Sequence, residues 1–305
     1  MKVLVTGGAG FIGSHIVDNL IENNHEVVIL DNLTSGTVEN INKKAAFYQV
    51  DMRGDLTQIF TDENIEAVCH AAAKTNMRES ITDPEADADI NIMGLLNLLK
   101  TCAEYGVQKF VFSSTGGALY GDTDIIPTPE SEPAQPISPY GISKMAGERY
   151  CFFYQKKYGL DVTVLRYSNV YGPRLGRKAN VGAAMLKIMQ SIDRGENPCV
   201  FGDGEQTRDF VYVEDVARAN RFAMEKSKGH NIYNIGSGFE TSVNDLVQLI
   251  SKLIGKSTQS DHIPAVTGEV RRSSLNVQKA ESEIGWKSDI DLKTGISHLY
   301  SHLKL

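Results

Sequence analysis

Lys2-Val3-Leu4-Val5-Thr6-Gly7-Gly8-Ala9-Gly10-Phe11-Ile12-Gly13 decides the fold of this chain: a short apolar run feeds a glycine turn, and an apolar-periodic segment follows at once. The run reads as a strand, and Phe11, Ile12, Ile16, Val17, Leu20 and Ile21 form the stripe of a helix. Gly7, Gly10 and Gly13 follow a G-x-x-G-x-x-G spacing. Small residues there let the backbone turn tightly and approach a pyrophosphate, while the following helix directs its unpaired N–H groups at the anion. Glu26-Val27-Val28-Ile29-Leu30 gives a second strand, and Asp31 ends it. A carboxylate at that strand end can accept both adenosine ribose hydroxyls and repels a 2′-phosphate, so the unit predicts a dinucleotide site that favours NAD over NADP. A nucleotide-triphosphate loop does not fit, because Ser14-His15 stands where Lys-Ser or Lys-Thr is required. The later Gly255-Lys256-Ser257 has Ile250 in place of the first glycine of that motif.

Around this unit, 305 residues with 41% hydrophobic side chains suffice for one large or two intimately joined domains with a substantial core. A formal charge of −7, with no Lys/Arg run longer than two residues, argues against a nucleic-acid-binding surface. No stretch approaches the roughly 18 uninterrupted apolar residues of a membrane helix, and the four apolar residues before Thr6-Gly7 read as a strand rather than a signal peptide. Cys69, Cys102, Cys151 and Cys199 are widely spaced and flanked by apolar residues, so they are expected to be reduced core thiols of a cytoplasmic protein. His298 and His302 lie one helical turn apart, but no third ligand accompanies them and no metal site is expected.

Strand-like runs at 2–6, 26–30, 46–50, 66–70, 108–113 and 161–167 alternate with amphipathic stretches near 11–23, 55–63, 86–105 and 140–158. Such alternation implies an α/β fold, a Rossmann-type doubly wound parallel sheet covered on both faces, with ligands at the carboxyl ends of its strands. Those ends carry Asp31, Asp51, His70 to Lys74, Ser113-Ser114-Thr115 and Arg166-Tyr167-Ser168-Asn169. After about residue 169, Pro and Gly break the pattern, which marks a smaller C-terminal substrate-binding lobe. Residues 209–235 again read as strand, helix and strand, so the chain is expected to return to the nucleotide domain there. The expected division is 1–168 with that return segment, against 169–208 and 236–305.

Tyr140 and Lys144 stand at i, i+4 on one face of a predicted helix. Tyr105/Lys109 and Tyr300/Lys304 share the spacing, but only Tyr140 opens a long helix behind a Pro-rich loop, where it can face a pocket. A free phenol, with a pKa of about 10, is a poor base at neutral pH; Lys144 and a cationic nicotinamide ring together would favour its ionised form. Tyr140 is then the expected base on a hydroxyl, with Thr115, or failing that Ser114, bonded to the same oxygen.

The Thr-Gly-Gly-Ala-Gly-Phe-Ile-Gly loop, the Ser/Thr after the central strand and Tyr-x-x-x-Lys together resemble the extended short-chain dehydrogenase/reductases over essentially the whole chain. Within them the chain is most similar to the UDP-glucose 4-epimerase group. The resemblance implies that Gly7, Gly10, Phe11, Ile12 and Gly13 cradle NAD, that Asp31 and Asn32 hold its adenosine ribose, and that Asp51 and Met52 flank the adenine. It implies that Lys74, Asn91 and Tyr167 line the rest of the NAD site and that Lys144 also contacts the nicotinamide ribose. For the UDP-sugar, it implies that Asn169 contacts the diphosphate, Phe201 is the uracil platform and Arg208 clamps the phosphates. The bland alternative for Arg208 is an ion pair with Asp209 or Glu214. Where the family commonly carries a further arginine this chain has Val266, with Arg271 or Arg272 as substitutes. Ser273 falls at the position that limits room beside C2 of the sugar, and its small side chain leaves space for an N-acetyl group.

Dehydratases of this family carry an Asp-Glu pair immediately after the catalytic threonine, and this chain has Gly116-Gly117. Without those carboxylates the simplest outcome of oxidation at C4 is return of hydrogen to the opposite face, which inverts C4. A UDP-hexose 4-epimerase is therefore expected, ahead of a UDP-glucuronate epimerase or decarboxylase and of a non-catalytic NAD-binding protein. The helices near 86–105 and 140–158 would, by the resemblance, pair with a second copy as a four-helix bundle.

Overall fold

The computed structural model describes residues 1–176, 183–265 and 270–303. Its strands are β1 (Lys2–Thr6), β2 (Glu26–Leu30), β3 (Ala46–Tyr48), β4 (Ala67–His70), β5 (Lys109–Thr115), β6 (Asp161–Tyr167), β7 (Asn169–Tyr171), β8 (Cys199–Phe201), β9 (Thr207–Arg208), β10 (Phe210–Tyr212), β11 (Asn231–Ile235), β12 (Thr241–Ser242) and β13 (Asp261–Ile263). Its helices are α1 (Phe11–Glu22), α2 (Thr57–Glu63), α3 (Met77–Thr82), α4 (Pro84–Ala88), α5 (Gly94–Glu104), α6 (Pro139–Tyr158), α7 (Ala183–Asp193), α8 (Val213–Lys226), α9 (Val243–Ile254), α10 (Gln278–Ile284) and α11 (Leu292–Leu303).

Seven strands form one parallel sheet in the order β11-β6-β5-β4-β1-β2-β3. The apolar runs are buried on both faces, as parallel strands between two helical layers must be. Alternate residues face opposite cores: Val3, Val5, Ile29, Cys69, Val111 and Leu165 pack with α1 and α8, whereas Leu4, Val28, Val68, Phe110, Phe112 and Val164 pack with the α5 and α6 side. The chain runs outward from β1 to β3 and then crosses back to β4, so the crevice between β1 and β4 opens at their carboxyl ends. A separate cluster of Met185, Met189, Val200, Tyr212, Leu246, Ile250, Ile296 and Leu299 binds α7, α9 and α11 into the C-terminal lobe.

Three expectations are corrected. The stretch 86–105 is no single α-helix: α4 and α5 are separated by a π-helical turn, Asp89–Met93, around Asn91, a local widening that is common at functional sites. Of the segment 209–235, β11 does rejoin the large sheet beside β6, but β10 pairs with β7 in a ribbon of its own. Cys69, Cys102 and Cys151 are buried free thiols, but Cys199 at the start of β8 is exposed rather than part of the core.

Candidate active site

Gly7 makes the turn after β1 in the left-handed region, with φ of +70°, and a Cβ there would lie 2.8 Å from the Ala72 backbone. A Cβ on Gly13 would lie 2.1 Å from the Gly7 carbonyl, so only glycine lets α1 approach the loop. α1 begins at Gly10 with no side-chain cap and no acid in its first turn, which leaves its N-terminal amides available to an anion. The Asp31 carboxylate accepts from Ala9 N–H (3.0 Å) and Leu33 N–H (2.8 Å), tying the loop to the end of β2. Each of its oxygens retains a second lone pair for a hydroxyl. This cradle fits a dinucleotide. Asn32 donates to Asp51 at 2.9 Å, and Arg53 beside Asp51 holds that carboxyl well below the usual range. Met52 is buried against Gly94, where a Cβ would meet its methyl group.

Tyr140 lies in the first turn of α6 because Ser138 caps the helix by accepting from Gly141 N–H and Pro139 follows with its φ already set. Lys144 stands one turn on, buried, with Nζ donating to the Ser113 carbonyl at 2.8 Å and resting 5.0 Å from the Phe112 ring centre. Burial brings the Lys144 ammonium down to about 8, against opposing pulls from Asp87, Cys151 and Glu148. For Tyr140, burial and then the charge of Asp87 raise the phenol above its ordinary value. These two contributions raise the phenol, so the lowering that a base needs would have to come from a bound cationic nicotinamide ring acting together with Lys144.

Sequence left Thr115 and Ser114 as alternatives, and the structure separates them. Ser114 Oγ is buried and donates to Glu148 at 2.6 Å, whereas Thr115, half-buried at the end of β5, accepts only from Ala118 N–H at 3.2 Å. Glu148 is in turn bridged by buried Arg166 through two bonds of 3.0 and 2.7 Å. Asn91 accepts from Lys74 N–H and donates to Lys74 C=O, both at 2.9 Å, so it fixes the loop after β4. Tyr167 is 5% exposed within the core packed against α8, and its hydroxyl is engaged by Ser113 (3.0 Å) and Asn220 (2.8 Å). His70 at the end of β4 bonds Thr6 at 2.7 Å, and burial lowers its pKa to about 3, which keeps it neutral.

On the opposite wall, Asn169 begins β7 with its side-chain oxygen 3.3 Å from where a Cβ on Gly117 would lie. Leu275 closes over Gly116, where a Cβ would meet its side chain at 2.6 Å, so the segment carrying half-buried Ser273 passes the Thr115 loop. Phe201 ends β8 with its ring 36% exposed and the Arg78 guanidinium 5.6 Å from its centre. Arg208 is half-buried in β9 and donates to the Thr207 carbonyl at 2.7 Å. Arg271 and Arg272, the candidate phosphate clamps, are paired with Asp203 (2.8 Å) and Glu240 (2.6 Å); Val266 lies outside the described residues.

Two residues escaped the sequence reading. Asp209, considered only as a partner for Arg208, is 1% exposed and accepts from Ser168, Ser237, Gly238 and Leu275, pinning together the segments that carry Asn169, Arg208 and Ser273. Asp87 is a buried carboxylate on α4 beside the Tyr140 turn. A carboxylate within an otherwise surface-like run such as Pro84-Glu85-Ala86-Asp87 offers no signal of burial. Among the described residues no group of His, Cys, Asp or Glu could hold a metal ion.

With a glycine cradle at a helix start, an acid closing β2 behind it and a Tyr-Lys turn at the same carboxyl edge of the sheet, the chain is a nicotinamide-dinucleotide enzyme of the Rossmann type. The chain belongs to the NAD dependent epimerase/dehydratase family, whose model matches residues 3–236. It is similar to a UDP-glucose 4-epimerase of Mycolicibacterium smegmatis, at 37% identity over 97% of this chain and 96% of the relative. Among solved structures it resembles UDP-glucose 4-epimerase of Thermotoga maritima with UDP-glucose, at 45% identity and a TM-score of 0.96, covering 100% of this chain and 99% of that one. It also resembles the Thermus thermophilus UDP-glucose 4-epimerase complex with NAD, at 37% identity and a TM-score of 0.94, with the same coverage.

Proposed function

We infer that this chain is an NAD-dependent epimerase that inverts C4 of a UDP-hexose and leaves NAD unchanged after each turnover. The observation that carries the reading is that β5, which ends at Thr115, and β1, which feeds the glycine loop, end at the same carboxyl edge of the parallel sheet, with Lys144 of the Tyr140 turn bonded to the Ser113 carbonyl there and Gly116-Gly117 following Thr115. There is no carboxylate pair after Thr115 to eliminate water. NAD, when bound, supplies reversible two-electron oxidation at C4.

In this reading Tyr140 takes the proton of the 4-hydroxyl and later returns it, while Thr115 hydrogen-bonds the same oxygen. Lys144 holds a positive charge beneath the phenol. The backbone of Gly7, Gly10, Phe11, Ile12 and Gly13 holds the cofactor pyrophosphate, Asp31 and Asn32 the adenosine ribose, and Asp51 and Met52 the adenine edge. Lys74, Asn91 and Tyr167 complete that wall. Asn169 and Arg208 take the UDP diphosphate, for which a planar fork of donors suits paired oxygens. Phe201 stacks on the uracil, Arg271 or Arg272 stands in for the second phosphate clamp, and Ser273 sits beside C2. The cofactor half is then 1–168 with the return through α8 and β11, and the substrate half comprises 169–208 and 236–305.

Exposed Ile142, Tyr150 and Phe153 on α6 and Met93 before α5 give the face through which two copies would pair; sedimentation of Phe153→Asp is expected to show monomers where the parent shows dimers. No helix among the described residues is long and apolar enough to cross a membrane, and the buried free thiols fit the reducing cytoplasm. The activity is tested by NMR after incubation with UDP-glucose, UDP-galactose and their N-acetyl counterparts. Inversion at C4 is expected, and conversion of none of the four would overturn the reading.

A further inference from the structure

Asp87 is 1% exposed on α4, and its hydrogen-bond partner is a neutral amide, Asn91 Nδ2 at 3.0 Å. That same amide, whose two protons also serve the Lys74 carbonyl at 2.9 Å, makes a longer, shared contact with Ser143 Oγ at 3.3 Å, and Ser143 Oγ donates to the Tyr140 carbonyl at 2.9 Å. A buried carboxylate is thereby joined, through two side chains, to the turn that carries Tyr140 and Lys144.

Of the other titratable groups around this turn, half-buried Lys74, whose backbone Asn91 holds, and exposed Arg78 and Glu79 of α3 carry charge, and the buried ones are neutral or paired. His70 from β4 is neutral, burial keeps the Cys151 thiol of α6 protonated, and Glu148 is matched by Arg166 of β6. Cys102 of α5 is a buried thiol held protonated in the same way.

We propose that Asp87 is a positioning residue of the C4 inversion: it fixes the Tyr140 turn through Asn91 and Ser143 and places a buried carboxylate behind that turn, so that Tyr140 can return the proton it takes. The proposal rests on Tyr140 being the base. Inversion uses the same phenol twice, first to accept a proton from the sugar oxygen and then to give it back to that oxygen. A phenol ionised too readily would perform the second transfer poorly. Lys144 favours the ionised form, and Asp87 opposes it.

The test is the pH profile of kcat/KM for Asp87→Asn in the NAD-loaded enzyme. Without the negative charge both Tyr140 and Lys144 lose protons more easily, so both limbs are expected to move to lower pH. A half-unit displacement raises activity, relative to plateau and one unit below the parent's acid midpoint, about threefold. The tyrosinate absorbance of NAD-loaded enzyme, taken as a difference from Tyr140→Phe, should move in parallel. Asp87→Glu, which keeps the charge, should leave both limbs in place even if kcat falls. Should Asp87→Asn not fold, Asp87→Ser carries the same expectation. Limbs that stay fixed or move upward in the neutral variant, or that move equally in Asp87→Glu, overturn the proposal. Full activity in Tyr140→Phe would instead overturn the base assignment; an inactive Tyr140→Phe with unmoved Asp87→Asn limbs overturns only the role of Asp87.

Discussion

On the cofactor side of the cleft the functional groups are fixed by backbone and by buried partners: Gly13 against the Gly7 carbonyl, Lys144 on the Ser113 carbonyl, and Ser114 on the Glu148–Arg166 pair, whose side chains are 6% and 7% exposed. On the proposed substrate side, Arg271 and Asp203 are 57% and 56% exposed, and Arg272, 56% exposed, pairs with half-buried Glu240. Exposed pairs of this kind contribute about 1 kcal/mol or less, so a ligand phosphate can compete for them at small cost. Removing one partner of a buried pair costs about 3–5 kcal/mol. The first wall is a rigid template and the second an adjustable one. This division suits a reaction in which the cofactor stays and the sugar must present both faces.

The sharpest way to break the comparison is at its rigid end. Gly13→Ala places a methyl group 2.1 Å from the Gly7 carbonyl, so the loop must part from α1. Loss of bound NAD and a lowered melting temperature are expected, and normal cofactor retention would show that the wall is not a template. Tyr140→Phe removes a general base and acid, for which a loss of about 10²- to 10⁴-fold in kcat is expected with NAD binding retained. Arg208→Ala takes away a charged donor worth about 1.5–3 kcal/mol, so KM for the UDP-sugar should rise about 10- to 100-fold with kcat little changed. Ser273→Tyr is expected to depress turnover of N-acetylhexosamine substrates more than that of hexoses, with equal losses refuting its place beside C2. Arg271→Ala should be the mildest, about threefold or less in KM, because its guanidinium already spends itself on exposed Asp203. A larger effect would move Arg271 from the adjustable wall to the essential one.

Much of this was legible in the residues. The runs at 2–6, 26–30 and 161–167 match β1, β2 and β6 residue for residue, because a strand covered on both faces must be apolar throughout and its turns must be glycine or polar. Tyr140 and Lys144 were separable from the two other copies of their spacing because only Tyr140 opens a long helix behind a Pro-rich loop, where Ser138 caps α6 and Pro139 begins it. The interruption at Asn91 was not legible, since a π-turn keeps the same apolar periodicity on either side and is set by the bond to the Lys74 loop. Nor was the assignment of Ser114 to Glu148, which lie 34 residues apart and meet only when α6 packs on β5.

The sequence by itself determined the parallel sheet, the NAD-type loop, the Tyr-Lys turn and the family, because each depends on local spacing and on which residue types tolerate a turn, a cap or a buried face. Tertiary structure alone decided that Ser114 is taken up by Glu148 while Thr115 accepts from Ala118 N–H, that β10 pairs with β7 outside the large sheet, that Cys199 is exposed, and that Asp87 and Asp209 are buried. Those outcomes depend on contacts between segments far apart in the chain. A carboxylate, a hydroxyl or a thiol has no local signature of the partner that packing will bring to it.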